Sequence, residues 1–78
     1  MLYKYYLQAR GPSPGAQPNG FIAMEDYGVR KLCFVYDKFF DHVYFKAWGH
    51  VFYKEKLTQK QINDYELVYG GVVNDNSN

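Results

Sequence analysis

Hydrophobic and polar residues alternate most regularly between residues 46 and 57, a pattern that predicts a β-strand with two unlike sides. The small and apolar side is expected to face the core, and it carries Ala47, Gly49, Val51, Tyr53, Glu55 and Leu57. The other side is expected to be a binding face, and it carries Lys46, Trp48, His50, Phe52, Lys54 and Lys56.

A short helix is predicted to follow this strand, because several local signals agree on where it begins. Thr58 is a good N-cap residue, and Gln61, three positions later, completes a capping box. Leu57 and Ile62 form a hydrophobic staple across the first turn. A helix over residues 59 to about 67 has only two turns or so, and it therefore needs to be packed on a sheet to persist.

The first 36 residues predict three strands, with one irregular connection between the first strand and the second. Residues 2–9 are rich in β-forming side chains, and residues 11–20 contain three prolines and three glycines, which exclude regular structure. That connection suits a semi-rigid spacer or a partner-binding loop. Residues 21–25 form a short strand candidate, and Asp26, Tyr27 and Gly28 predict a tight turn into a strand over residues 29–36, which makes a β-hairpin.

The remaining segments complete an α+β prediction. Residues 37–45 fit neither a helical nor a strand period well, and we expect a wide loop that continues as a strand from Val43. Residues 67–69 predict a short edge strand, and residues 74–78 a flexible tail after a single domain over residues 1–73. The predicted architecture is a small antiparallel sheet of three or four strands, with one short C-terminal helix packed on one face and the other face partly open.

Composition and charge narrow the range of functions. Nine basic and eight acidic residues give a net charge of +1, which excludes both a strongly basic nucleic-acid coat and an acidic mimic of nucleic acid. Aromatic residues make up 21% of the 78 residues, so some rings must lie partly on the surface, as at interfaces. There is no apolar run of membrane-spanning length, and we predict a cytoplasmic protein with no membrane contact. The oligomeric state is left open.

The sequence offers little chemistry for catalysis. His42 and His50 have no further candidate ligands at a recognisable metal-binding spacing. Cys33, between Leu32 and Phe34, is interpreted as a small hydrophobic residue rather than a nucleophile. Neither Ser13 nor Ser77 lies in a nucleophile-elbow pattern. We therefore expect no enzyme activity, no cofactor and no metal site.

Two binding hypotheses remain for the predicted strand face. Rings interleaved with cations are the pattern by which sheets stack single-stranded bases and pair phosphates, so weak single-stranded nucleic-acid binding is one hypothesis. A protein partner is the favoured one, because Trp, Tyr and basic side chains also dominate protein interfaces. A third interpretation gives Trp48 and Phe52 a structural role in the core under the helix.

Several short motifs between residues 3 and 67 support a resemblance. Tyr5-Tyr6-Leu7-Gln8 with Arg10 and Pro12-Ser13-Pro14-Gly15, then Ala47-Trp48-Gly49, Tyr53, Leu57-Thr58 and Asp64-Tyr65-Glu66-Leu67, resemble a group of small uncharacterised proteins carried on conjugative elements and prophages of Gram-positive bacteria. The resemblance implies a mobile-element or phage accessory protein that acts through protein contact, including as an inhibitor of a host defence enzyme. It implies no catalytic residues.

Overall fold

A computed structural model describes residues 1–74 as a four-stranded antiparallel sheet with one short helix, so the predicted α+β class is confirmed. Residues 75–78, most of the predicted flexible tail, lie outside the described residues. The sheet order is β2-β3-β1-β4, and all neighbouring strands are antiparallel. The elements in chain order are β1 (Leu2–Leu7), β2 (Ala23–Asp37), β3 (Asp41–Tyr53), α1 (Gln59–Asp64) and β4 (Leu67–Val73).

The core lies on one face of the central strands β1 and β3. The predicted separation of sides holds along the second half of β3, where Val51 and Tyr53 are buried while Trp48 is only partly exposed. Removing apolar surface from water is the main stabilising effect here. The core cluster consists of Tyr5, Leu7, Val51, Tyr53 and Leu67.

Helix α1 begins where the local signals predict. Thr58 is the N-cap, and its capping box is reciprocal: the Gln61 amide donates to Thr58 Oγ1 at 3.1 Å, and the Thr58 amide donates to Gln61 Oε1 at 2.9 Å. Ile62 packs against the core cluster. The helix is shorter than predicted, because it ends at Asp64 and the chain turns at Glu66 with a positive φ of 54°. The chain then enters β4, which is the predicted edge strand and runs on to Val73.

The proline- and glycine-rich connection over residues 11–20 is a packed part of the structure. Ala16, Gln17 and Pro18 are buried, and the Tyr53 hydroxyl donates to the Pro18 carbonyl at 2.6 Å. A Cβ atom built on Gly49 would lie 3.0 Å from Pro12 Cγ, which is tighter than normal packing allows. This connection therefore helps α1 to cover the core face.

The predicted hairpin at residues 26–28 is wrong, because β2 runs without interruption from Ala23 to Asp37. The local turn chemistry is present: Gly28 has a φ of +76°, and its amide donates to Asp26 Oδ1 at 2.9 Å. The turn forms a bulge instead, and the pairing of β2 with β3 shifts between Asp26 and Lys31. Strand β3 pairs with β2 on both sides of the bulge, and this pairing keeps β2 in one direction.

The wide loop predicted over residues 37–45 is also wrong. Lys38, Phe39 and Phe40 form a tight turn between β2 and β3, in which Asp37 Oδ1 accepts from the Phe39 amide at 2.7 Å. Strand β3 begins at Asp41, two residues before the predicted start.

This β2–β3 hairpin extends past the rest of the sheet. Strand β1 pairs with β3 only from Gly49 to Tyr53, so residues 41–47 of β3 have β2 as their only partner in the described sheet. We call residues 31–47 the arm.

Candidate binding surfaces

The sheet face opposite the core carries a group of aromatic rings. Cross-strand pairing places Tyr6 beside His50 and Lys4 beside Phe52 on this face. The helix and the 11–20 connection contact the opposite face, so no described helix packs over these rings. We call Tyr6, Tyr27, Phe45, His50 and Phe52 the open-face cluster.

The rings of the open-face cluster meet edge to face. Ring centroids are 5.0 Å apart for Tyr6 and Phe45, 5.1 Å for His50 and Phe52, and 5.4 Å for Tyr27 and His50. Such pairs each add about 0.5–1.5 kcal/mol beyond their buried area. Phe45 is five residues from His50, an odd number, so strict alternation would place it on the other face. The regular alternation of β3 therefore breaks between Phe45 and His50.

His50 is largely enclosed in the cluster, with a side chain only 12% exposed. Its Nδ1 lies 2.5 Å from the Tyr27 hydroxyl, and its Nε2 lies 3.6 Å from Glu25 Oε1. Burial lowers the pKa of His50, the charge of Lys4 lowers it further, and Glu25 acts in the opposite direction. Burial also raises the pKa of Tyr27, which keeps its hydroxyl protonated. These contacts assign a neutral imidazole that accepts from Tyr27 at Nδ1 and carries its proton at Nε2, toward Glu25.

Two lysines lie over rings of the cluster. Lys4 Nζ is 4.7 Å from the Tyr6 centroid, and Lys31 Nζ is 5.0 Å from the Tyr27 centroid. Both distances are within the range of cation–π attraction. The outer side of the cluster thus combines positive charge with fixed aromatic rings.

The six residues of the predicted binding face do not share one surface. His50 and Phe52 belong to the open-face cluster, and Trp48, two residues before His50, lies on the same side of β3 and is partly exposed near Gly11. Lys46 is exposed on the arm. Lys54 and Lys56 follow the end of β3, where they line a cavity of about 360 Å³ with Leu57 and other residues. Lys56 Nζ also lies 5.3 Å from the centroid of Tyr69, a ring packed against the core.

Sequence reasoning missed the residues that β1 and the β2 bulge bring to the cluster. Period-two alternation in residues 2–9 places Lys4 and Tyr6 on one side, but nothing local indicates that β1 pairs with β3. The sequence predicts a turn at Tyr27, whereas in the structure Tyr27 lies in the bulge of β2 and its ring contacts that of His50.

The arm carries a second and far more exposed group of rings. Phe34 and Tyr44 are paired across the two strands, with centroids 5.7 Å apart, and both neighbour His42 on the same face. Because Tyr44 precedes Phe45, this face is the opposite side of the ribbon from the open-face cluster. Large apolar groups exposed together mark contact surfaces. Exposed fractions on the arm are 66% for Leu32, 54% for Phe34, 72% for Tyr36, 79% for Phe39, 73% for Phe40 and 62% for Tyr44.

Two further nucleophilic side chains each contact a backbone carbonyl. Cys33 Sγ lies 3.6 Å from the Lys31 carbonyl oxygen, and Ser13 Oγ lies 3.5 Å from that of Gly11. Within the same residues, no group of three or more His, Cys, Asp or Glu side chains is placed to hold a metal ion. None of the described helices is long and apolar enough to cross a membrane.

Comparison with known proteins identifies the class of this small α+β chain. Residues 1–72 match the family described as Defence against restriction A C-terminal, and the chain belongs to that family of phage and mobile-element anti-restriction proteins. The mobile-element part of the resemblance seen in the sequence is thereby supported. No curated protein and no solved structure matches the chain.

Proposed function

We propose that this chain is a non-enzymatic anti-restriction module that acts by contact with a protein of the host restriction system. The family description supplies the biological setting. The observation that carries the contact role is the open-face cluster, a group of packed rings with lysines over two of them on the sheet face opposite the helix.

The cluster has the properties of a binding surface prepared in advance. Tyr27 is held by its hydrogen bond to His50, and Phe52 is held by the His50 ring, so these side chains lose little conformational freedom when a partner binds. Aromatic residues with nearby positive charge are typical of the side chains that contribute most to protein interfaces.

Charge limits how such a module could inhibit a restriction enzyme. A protein that occupies a DNA-binding groove needs an acidic surface, because the groove is basic. This chain has a net charge of +1, and lysines lie over its open-face cluster. We therefore propose contact with a neutral or acidic protein surface outside the DNA groove.

Single-stranded nucleic acid is the second candidate ligand. The same lysine-over-ring pairs, Lys4 with Tyr6 and Lys31 with Tyr27, favour it, because bases stack on rings while phosphates pair with lysines.

The test compares transformation of a restricting host by unmodified plasmid, with and without the chain expressed. Expression is expected to raise the transformation efficiency. The double variant Lys4→Gln with Lys31→Gln removes the charges over the cluster and is expected to lose most of this protection. Lys60→Gln is the matched control, because Lys60 lies on α1 with its side chain 83% exposed and is expected to protect as well as the wild type.

Equal protection by the double variant and the control would remove the open-face cluster from the proposal. Fluorescence anisotropy with a labelled single-stranded oligonucleotide separates the two ligands. Binding that weakens steeply with salt and disappears in the double variant would favour nucleic acid over a protein partner.

A further inference from the structure

We propose that the bulge of β2, residues 27–30, is a contact element beside the open-face cluster, in which Arg30 pairs with a carboxylate of the partner protein and His50 holds the bulge in position. This role rests on the proposed function and deepens it, because it names the chemical group that the partner supplies. His50 acts through Tyr27 and is therefore a positioning residue.

The bulge is the place where β2 has more residues than its partner strand. Between the pairs that β2 makes at Asp26 and at Lys31, it has four residues, whereas β3 has one, Trp48. None of the four is paired with a residue of β3 in the register of the two strands. The position of the bulge relative to β3 is therefore set by the paired residues on either side and by side-chain contacts.

Tyr27 supplies the side-chain contact from the bulge to β3. Its hydroxyl lies 2.5 Å from His50 Nδ1, and the two rings meet edge to face. The His50 ring is itself held, because the rings of Tyr6 and Phe52 also contact it. The other side-chain hydrogen bond of the bulge, from the Gly28 amide to Asp26, is local to β2. The hydrogen bond between Tyr27 and His50 thus ties the bulge to the body of the sheet.

Arg30 carries a charge that is not used within the described chain. It is exposed, and its guanidinium has no ion pair or hydrogen bond with another residue among residues 1–74. The two acidic residues before the bulge are engaged elsewhere. Asp26 accepts from the Gly28 amide, and Glu25 lies 3.6 Å from His50 Nε2. The charge of Arg30 is therefore available to a partner.

The chemistry of Arg30 specifies the group that it binds. A guanidinium forms two parallel hydrogen bonds with a carboxylate, and arginine is enriched among the residues that contribute most to protein interfaces. Val29, next to Arg30 in the chain, is 58% exposed, so apolar surface accompanies the charge. A net charge of +1 favours a protein carboxylate over the many phosphates of a nucleic acid.

NMR relaxation of the whole chain tests the positioning role without a partner. Tyr27→Phe keeps the ring and removes the hydroxyl, and His50→Phe keeps a ring and removes the acceptor. In each variant we expect the backbone order parameters of residues 28–30 to fall from about 0.85 to about 0.6, with no further fall when the two are combined. Tyr44→Phe is the matched control, because it removes a hydroxyl from a ring that is 62% exposed on the arm, and it should leave the bulge unchanged.

Transformation of a restricting host by unmodified plasmid tests the contact itself. Arg30→Gln removes the charge, and Arg30→Lys keeps the charge but removes the planar pair of donors. Both are expected to lower protection at least tenfold, and Tyr27→Phe is expected to lower it as well. Arg10→Gln is the matched control, because Arg10 has a side chain 52% exposed outside the bulge and is expected to protect like the wild type when substituted.

Unchanged order parameters in Tyr27→Phe and His50→Phe would overturn the positioning role. Full protection by Arg30→Gln, in a host where the wild type protects, would overturn the contact and leave the proposed function standing. Absence of protection by the wild type would remove the proposed function and the contact together, while the NMR result would still decide the role of His50.

The identity of the paired group is tested by two further outcomes. Full protection by Arg30→Lys beside a loss in Arg30→Gln would mean that a point charge suffices, which contradicts a two-bond pair with a carboxylate. Salt-sensitive binding of a labelled single-stranded oligonucleotide that disappears in Arg30→Gln would assign a phosphate in place of the carboxylate.

Discussion

The arm and the rest of the described structure, which we call the body, are built from similar residues, but they differ in what surrounds them. Tyr5, within strand β1, is fully buried, whereas Tyr36, within strand β2 in the arm, is 72% exposed. Tyr5 has strands on both sides and is covered, with its hydroxyl accepting from the Leu57 amide at 2.9 Å. Tyr36 has one neighbouring strand in the arm. Strand topology and covering layers, not side-chain type, thus decide which apolar residues form the core.

The largest expected effect is therefore the difference between one substitution made in the two regions. Tyr5→Ala removes a buried ring that packs against Tyr53 and Tyr69, with centroids 5.9 and 5.3 Å away. We expect it to lower the free energy of unfolding by about 3–5 kcal/mol. Tyr36→Ala removes an exposed ring and should cost about 0.5 kcal/mol or less.

Urea unfolding of both variants and the wild type at the same low protein concentration measures both values. A large loss for Tyr36→Ala under these conditions would mean that the arm belongs to the core of the single chain, and the contrast between the two regions would not hold.

Local signals predict the body better than they predict the path of the chain into the arm. The start of α1 could be read from Thr58 and Gln61 because capping is a contact between residues three positions apart. The burial of Val51 and Tyr53 could be read from period-two alternation. Both depend on neighbours in sequence.

The sequence wrongly predicts a hairpin at residues 26–28, because the interaction that decides the path of the chain there is not local. Asp26 and Gly28 form the contact typical of a turn, but β3 pairs with residues on both sides of it and holds β2 straight. Likewise, the open-face cluster could not be predicted whole, since Tyr6 reaches His50 only through the pairing of β1 with β3.

A second, smaller effect is expected at the start of the helix that covers the body. Thr58→Ala removes the hydroxyl that accepts from the Gln61 amide and should lower the free energy of unfolding by about 1 kcal/mol. Thr58→Ser keeps the hydroxyl and is the matched control, expected within a few tenths of a kcal/mol of the wild type. Equal losses in the two variants, measured by urea unfolding, would show that the cap does not contribute to the stability of α1.

The smallest expected effect is a pH dependence of the body that comes from His50. Burial lowers the pKa of His50 below its ordinary value of 6.5. The unfolded chain therefore takes up a proton at higher pH than the folded chain does. Stability from this residue is fully present above about pH 6.5 and is lost as pH falls from there toward the folded pKa.

NMR titration of the imidazole and urea unfolding on the two sides of that pH measure this effect. We expect His50 to titrate below 6.5 and the wild type to lose stability on acidification through this range, while His50→Gln loses less. Lys4→Gln should raise the pKa of His50, because the charge of Lys4 lowers it. A His50 that titrates above 6.5 would mean that a carboxylate, with Glu25 the nearest candidate, outweighs burial on the open face.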